Sequence, residues 1–210
     1  MLRVKRKDLE IFLTQIESSP QPKLEYEQYP TPARVAANLL WIAGVENNDL
    51  YDKIVADLGC GTGILSIGAA FLGARTVIGI DIDFDSLIIA KQNSLQTALA
   101  SNCFWICMRV EECHLKDIDT VVMNPPFGMR KESHFRDRDF LEKALTIAKT
   151  IYSINPSAEK TREFFRRFCK ERNARVDTIT QMSFDLAPIY PFHKKRKHLF
   201  IVDLYKILKE

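Results

Sequence analysis

Lys53-Ile54-Val55-Ala56-Asp57-Leu58-Gly59-Cys60-Gly61-Thr62-Gly63 is the stretch that decides the fold of this 210-residue chain. Its first six residues are an apolar run closed by Asp57 and Leu58, the pattern of a strand buried on both faces. Three glycines at alternate positions follow, and an apolar segment from Ile64 to Leu72 resumes as a helix. Strand, glycine loop and helix in succession are the ligand-binding turn of an open α/β sheet.

Working outward, the same alternation repeats. Thr76–Asp81 reads as a second strand, Asp85–Leu99 as a helix, Phe104–Met108 as a third strand and Thr120–Met123 as a fourth. A helix is expected over Asp139–Lys149, a short strand near Ile151–Ile154 and a helix over Ala158–Arg172. Two last strands, Val176–Phe184 and His198–Ile207, are expected to pair antiparallel across a proline-containing loop. The expected fold is α/β: a doubly wound, mostly parallel seven-stranded sheet with right-handed crossovers. Upstream, Leu9, Phe12, Leu13 and Ile16 recur at helical spacing. After a proline-rich stretch, Thr31 is expected to cap a helix whose first residue is Pro32 and which stops at Gly44. The chain is therefore read as one domain: a helical cap segment over residues 1–50 and a Rossmann-like core over 51–210.

Composition excludes several classes. Hydrophobic residues make up 46% and charged residues 27%, and no apolar run is long enough to span a membrane. The basic start, Met1 to Lys7, is followed by no secretory apolar stretch, so a cytoplasmic protein is expected. Five cysteines without framework spacing are expected to be reduced thiols, and the loose cluster of Cys103, Cys107, Cys113 and His114 is not read as a metal site. The net charge of +3 is modest, but cations concentrate at Arg130, Lys131, Arg136 and Arg138 and again at His193–Lys197. Flanking a site, two such runs suit a polyanion.

The glycine loop points to a cofactor. Glycines let backbone turn sharply and approach a ligand closely, and Asp81 at the end of the second strand can accept hydrogen bonds from both hydroxyls of a ribose. A nicotinamide dinucleotide normally needs G-x-G-x-x-G before a helix that receives pyrophosphate. Here the spacing is G-x-G-x-G, and Asp57 would repel a pyrophosphate while suiting the ammonium of a methionine moiety. S-adenosylmethionine is the expected cofactor.

Asn124-Pro125-Pro126-Phe127 follows the fourth strand, which in this fold class neighbours the first. An exocyclic amino group is a poor nucleophile because its lone pair is delocalised into the ring. Hydrogen bonds from its two N–H groups to the Asn124 side chain and the Pro125 carbonyl would weaken that conjugation. Pro125 and Pro126 would fix the carbonyl's direction in advance, and Phe127 could stack on a base, worth about 1–3 kcal/mol.

Taken in order, Gln28-Tyr29-Pro30-Thr31, Asp57-Leu58-Gly59-Cys60-Gly61-Thr62-Gly63, Asp81-Ile82-Asp83, Asn124-Pro125-Pro126-Phe127-Gly128 and Phe192-His193-Lys194-Lys195 resemble the methyltransferase-like protein 5 family over nearly the whole chain. That resemblance implies N6-methyladenosine formation in small-subunit ribosomal RNA. It implies that Gln28 and Thr31 close over the cofactor and that Gly59, Thr62 and Ile64 line its pocket. Asn124 to Phe127 would hold the adenine, with Phe192, His193, Lys194, Lys195 and Arg196 near the RNA entrance beside Arg130 and Lys131. Where many relatives carry an acid against the cofactor's adenine, this chain has Met108-Arg109-Val110, and the resemblance implies that the Val110 backbone or Glu111 would take that place. The family also implies a small zinc-binding activator subunit. The uncharged Phe104–Met108 strand, expected at a sheet edge, is its natural docking strand.

Other readings stay open on the residues alone. A glutamine-amide methyltransferase poses the same chemical problem to the same loop. A DNA adenine methyltransferase would be expected to carry an added target-recognition domain. A nicotinamide oxidoreductase lacks a hydride-transfer constellation, and a non-catalytic RNA-binding module would keep the fold without the reaction.

Overall fold

A strand with apolar residues on both faces needs cover on both sides, and the centre of this protein is built that way. The computed structural model describes residues 4–20, 23, 26, 28–127, 134–186 and 198–210. Its strands are β1 (Ile54–Leu58), β2 (Thr76–Asp81), β3 (Cys103–Cys107), β4 (Ile118–Met123), β5 (Ala148–Pro156), β6 (Ala174–Leu186) and β7 (His198–Lys209). Among the described residues they form a seven-stranded sheet in the order β3-β2-β1-β4-β5-β7-β6. The first five are parallel, whereas β7 runs antiparallel to both β5 and β6.

The helices are α1 (Arg6–Leu13), α2 (Ala33–Trp41), α3 (Ile64–Phe71), α4 (Phe84–Gln96), α5 (His134–Ile147) and α6 (Glu159–Lys170). One face of the sheet, with Val55, Val77, Val122, Tyr152 and Leu204, buries against α1, α2 and α3. The other, with Ala56, Leu58, Ile80, Val121 and Ile151, buries against α5 and α6. Leu9 and Leu13 of α1 and Val35, Leu39 and Leu40 of α2 belong to the first of these cores, so the N-terminal helices share their burial with the sheet.

Two expected boundaries differ. Pro32, not Thr31, is the N-cap of α2, with an extended ψ of 137°; the Thr31 hydroxyl is engaged elsewhere. Gly44 does not end the helix, which continues past Trp41 as a π-helical turn, Ile42–Glu46, with Gly44 packed against Leu72 and Leu50.

An ion pair ties the antiparallel end of the sheet to α6. Arg162 of α6 donates from Nε to Asp203 Oδ2 at 2.7 Å and from Nη2 to Oδ1 at 3.0 Å. Burial alone would push the Asp203 carboxyl up, but the Arg162 guanidinium, with hydrogen bonds from Ser157 and Tyr205, holds the group below its ordinary value. That contribution is present above the unfolded carboxylate range and disappears as pH falls through the folded value. Arg162→Met leaves Asp203, fully buried, without its counter-charge and is expected to lower stability at neutral pH. Urea denaturation at several pH values checks this: the deficit should shrink on acidification, once Asp203 is protonated in the variant.

Candidate active site at the carboxyl ends of the strands

β1 lies between β2 and β4, with Leu58 opposite Ile80 on one side and Met123 on the other. The loops leaving these strands therefore converge. They border a cavity of about 360 Å³ lined by Gln28, Thr31, Asp57, Gly59, Gly61, Thr62, Ile64, Asp81, Val110, Asn124 and Pro126, within the range of small-molecule sites. Gly63, Pro125 and Phe127 are not among its lining residues.

Gly61 has φ +53°, and a Cβ built there meets nothing within 4 Å, so backbone is presented bare to the cavity. Gly63 serves differently. It has φ +89° at the N-cap of α3, and a Cβ would come within 2.7 Å of the Trp105 indole. Its role is close packing behind the loop, not lining the cavity.

Asp57 is fully buried. Ser66 Oγ donates to its Oδ2 at 2.6 Å, while Oδ1 is buried with no hydrogen-bond partner among the described residues. Burial pushes its pKa up to about 7, opposed by the Ser66 hydrogen bonds. Asp81 accepts from the Gly61 amide at 2.7 Å through Oδ2 and from the Asp83 amide at 2.9 Å through Oδ1. Burial raises its pKa as well. Val110 opens a 3-10 turn, Val110–Glu112, and Arg109 and Glu111 beside it also line the cavity, joined by a 3.2 Å ion pair.

In the Asn-Pro-Pro-Phe loop, Asn124 donates from Nδ2 to the Thr31 hydroxyl at 2.8 Å, and its Oδ1 is buried without a partner among the described residues. The Phe127 ring is buried in edge contacts with Phe184 and Phe200, with centroids 5.4 and 5.3 Å away. The ring expected to lie against a base instead braces the loop on the β6–β7 pair. Arg130, Lys131, Phe192, His193, Lys194, Lys195 and Arg196 lie outside the described residues.

Lys23, Asn93 and Phe140 escaped the sequence reading, as did the contacts that hold Gln28 and Thr62. Gln28 donates from Nε2 to Asp83 at 2.7 Å and accepts from the Lys23 amide through Oε1. Lys23 Nζ bridges Asp83 and Asp85. Asn93, buried in α4, exchanges hydrogen bonds with the Glu17 backbone and donates to the Thr62 carbonyl. Together they strap the N-terminal segment across α4 and beside the glycine loop. Phe140 of α5 lines the cavity over Gly59. Asn93 and Phe140 carry no spacing signal, since each looks like one more residue of an amphipathic helix. Among the described residues no cluster of histidine, cysteine or acidic side chains could hold a metal ion, and no helix is long and apolar enough to cross a membrane.

A sheet of this order, with its cavity where β1 meets β4, defines the class I S-adenosylmethionine-dependent methyltransferases. The model of the ribosomal protein L11 methyltransferase (PrmA) family matches residues 37–125. The rRNA N(6)-adenosine-methyltransferase METTL5 of Danio rerio is 35% identical over 97% of this chain and 98% of its own. The Drosophila melanogaster Mettl5 is 33% identical over 98% and 97%. The crystal structure of PH1948 from Pyrococcus horikoshii superposes with a TM-score of 0.89, at 34% identity and 99% of each chain. The chain belongs to the METTL5 family of rRNA N(6)-adenosine-methyltransferases.

The cavity fits the cofactor of that class. The unpartnered Asp57 oxygen can take an ammonium, bare backbone at Gly61 admits close approach, and Asp81 keeps lone pairs for a ribose. Asp57 is neutral below about 7 and charged above it. Affinity for S-adenosylmethionine is accordingly expected to rise with pH up to about 7 and to level off above it, while the ligand-free protein loses stability as pH climbs from the unfolded carboxylate range to about 7. Calorimetric titration checks the first; Asp57→Asn should bind more weakly and lose the pH step.

Proposed function

We propose that this chain transfers the methyl group of S-adenosylmethionine to N6 of an adenosine in small-subunit ribosomal RNA. The observation that carries the reading is Asn124. It lies in an Asn-Pro-Pro-Phe loop at the cavity, with a buried side-chain oxygen that has no partner in the described protein. A buried unpaired acceptor is costly, and an incoming N–H would satisfy it. When bound, the cofactor supplies a methyl group already activated by the sulfonium. Asp57 would receive the ammonium and Asp81 the ribose hydroxyls, with Gln28 and Thr31 of the N-terminal strap lining the same cavity. Asn124 Oδ1 and the Pro125 carbonyl each accept one N–H of the target amino group. The nitrogen lone pair is thereby drawn out of conjugation and aimed, and positioning supplies much of the remaining rate. The unlike charges of the cavity floor and the cationic Arg130–Lys131 and Phe192–Arg196 segments divide the labour between cofactor and RNA.

The L11 methyltransferase match ends at Pro125 and so covers the cofactor-binding half. A protein amide substrate is therefore the outcome to test against. Protein, labelled S-adenosylmethionine and small-subunit ribosomal RNA are incubated, and the RNA is digested for mass spectrometry. Labelled N6-methyladenosine is expected, and Asn124→Ala should lose transfer by two orders of magnitude or more while keeping cofactor affinity, in line with the loss of one oriented polar group. Label in protein and none in RNA would overturn the RNA reading.

A zinc-binding activator subunit is proposed to add itself to β3. This strand is the sheet edge and, among the described residues, pairs only with β2. Phe104 is 53% exposed there, and Phe84 and Ile88 of α4, which packs against β3, are exposed as well. Trp105 is turned inward against Gly79 and Gly63, leaving Phe104 as the outward apolar contact. Residence in the cytoplasm belongs to the same reading. Co-purification with the activator should be lost in Phe104→Lys at unchanged thermal stability.

A further inference from the structure

An amide side chain has two ends that differ in hydrogen-bonding sense, and rotation by half a turn exchanges acceptor for donors. For Asn124 the difference decides function: with Oδ1 available the loop can accept from an amino group, and with Nδ2 in its place the loop would present N–H to N–H. The only hydrogen bond that the Asn124 side chain makes among the described residues runs from Nδ2 to the Thr31 hydroxyl at 2.8 Å. Oδ1 is left buried and unpaired. Thr31 itself does not reach this point through the sheet. It stands immediately before Pro32, the N-cap of α2, at the end of the segment that Lys23 and Gln28 fasten to Asp83.

We propose that Thr31 is a positioning residue for the methyl transfer: its hydroxyl accepts Nδ2–H and locks the Asn124 amide in the orientation that leaves Oδ1 for the substrate. The inference rests on the reading that Asn124 accepts from the target amino group, and it adds a role for the N-terminal strap beyond contact with the cofactor. The strap reaches the cofactor side through Gln28 and the acceptor loop through Thr31, so one segment registers both halves of the site. Its geometry also explains why Thr31 is not spent as a helix cap, for which its sequence position suited it.

The test separates orientation from cofactor contact and from folding. Thr31→Val keeps shape and removes the acceptor; Thr31→Ser keeps the hydroxyl. At saturating cofactor and RNA, kcat of Thr31→Val should fall about tenfold, the effect of one lost hydrogen bond, with RNA KM little changed. Thr31→Ser should recover most of that loss, and melting temperatures should agree among all three. A second arm uses Asn124→Asp, whose carboxylate presents an acceptor at both ends and has no orientation to lose. Adding Thr31→Val to Asn124→Asp should leave its residual rate within about twofold, whereas a role confined to cofactor contact would cost the same factor in both backgrounds. Thr31→Val turnover equal to wild type overturns the inference, as does a loss that Thr31→Ser does not recover. If Asn124→Ala itself turns over normally, the reading of the loop fails instead, and the two failures are told apart.

Discussion

The parallel pairing of β1 with β4 is the constraint on which this protein's site depends. Because Leu58 lies opposite Met123, the glycine loop and the Asn-Pro-Pro-Phe loop leave the sheet side by side. Neither loop holds a ligand alone, and a register slip in a parallel pair would separate them or turn their side chains to the wrong face. The apolar residues of the two strands, buried on both sides by α1–α3 and by α5 and α6, make such a slip costly. Stability and geometry are thus set by the same few residues: Val55, Ala56, Leu58, Val121, Val122 and Met123.

Against that rigid floor the N-terminal strap is held by polar contacts. Lys23 and Gln28 meet Asp83, and Asn93 meets the Glu17 backbone and Thr62. Burial would raise the Asp83 carboxyl, yet hydrogen bonds from Lys23, Gln28 and Ser86 bring it below its ordinary value. Polar ties of this kind direct a segment with more angular precision than apolar contact does, because each donor must find its acceptor within a narrow cone. The strap's aim matters more than its adhesion.

The central sheet was legible in the sequence because each strand there is a short apolar run between turn residues. Thr76–Asp81 coincides with β2 and Ile64 begins α3 as read, while β5 extends to both sides of its expected core. The cavity's place was legible where a polar residue sits directly at a strand end, as with Asp57, Asp81 and Asn124, which line it together. The site was illegible where the same residue type serves packing and function equally. Phe127 looked like a base-stacking ring and is buried between Phe184 and Phe200, whereas Phe140, unremarked in an amphipathic helix, lines the cavity. Thr31 looked like a helix cap because local spacing favours it, but tertiary contact with Asn124, far along the chain, claims its hydroxyl. Long-range partners of this kind leave no periodic trace.

One further consequence follows from where the unpartnered Asp57 oxygen and the Asp81 carboxylate stand. On the proposed reading they grip the amino-acid and ribose ends of the cofactor, and both ends are the same before and after the methyl group departs. Only the loss of the sulfonium charge and of one carbon distinguishes the spent molecule. On that reading the spent molecule would compete with the donor for the pocket, and turnover would answer to the ratio of the two in the surrounding pool. An enzyme of this design would slow whenever the removal of spent cofactor slows.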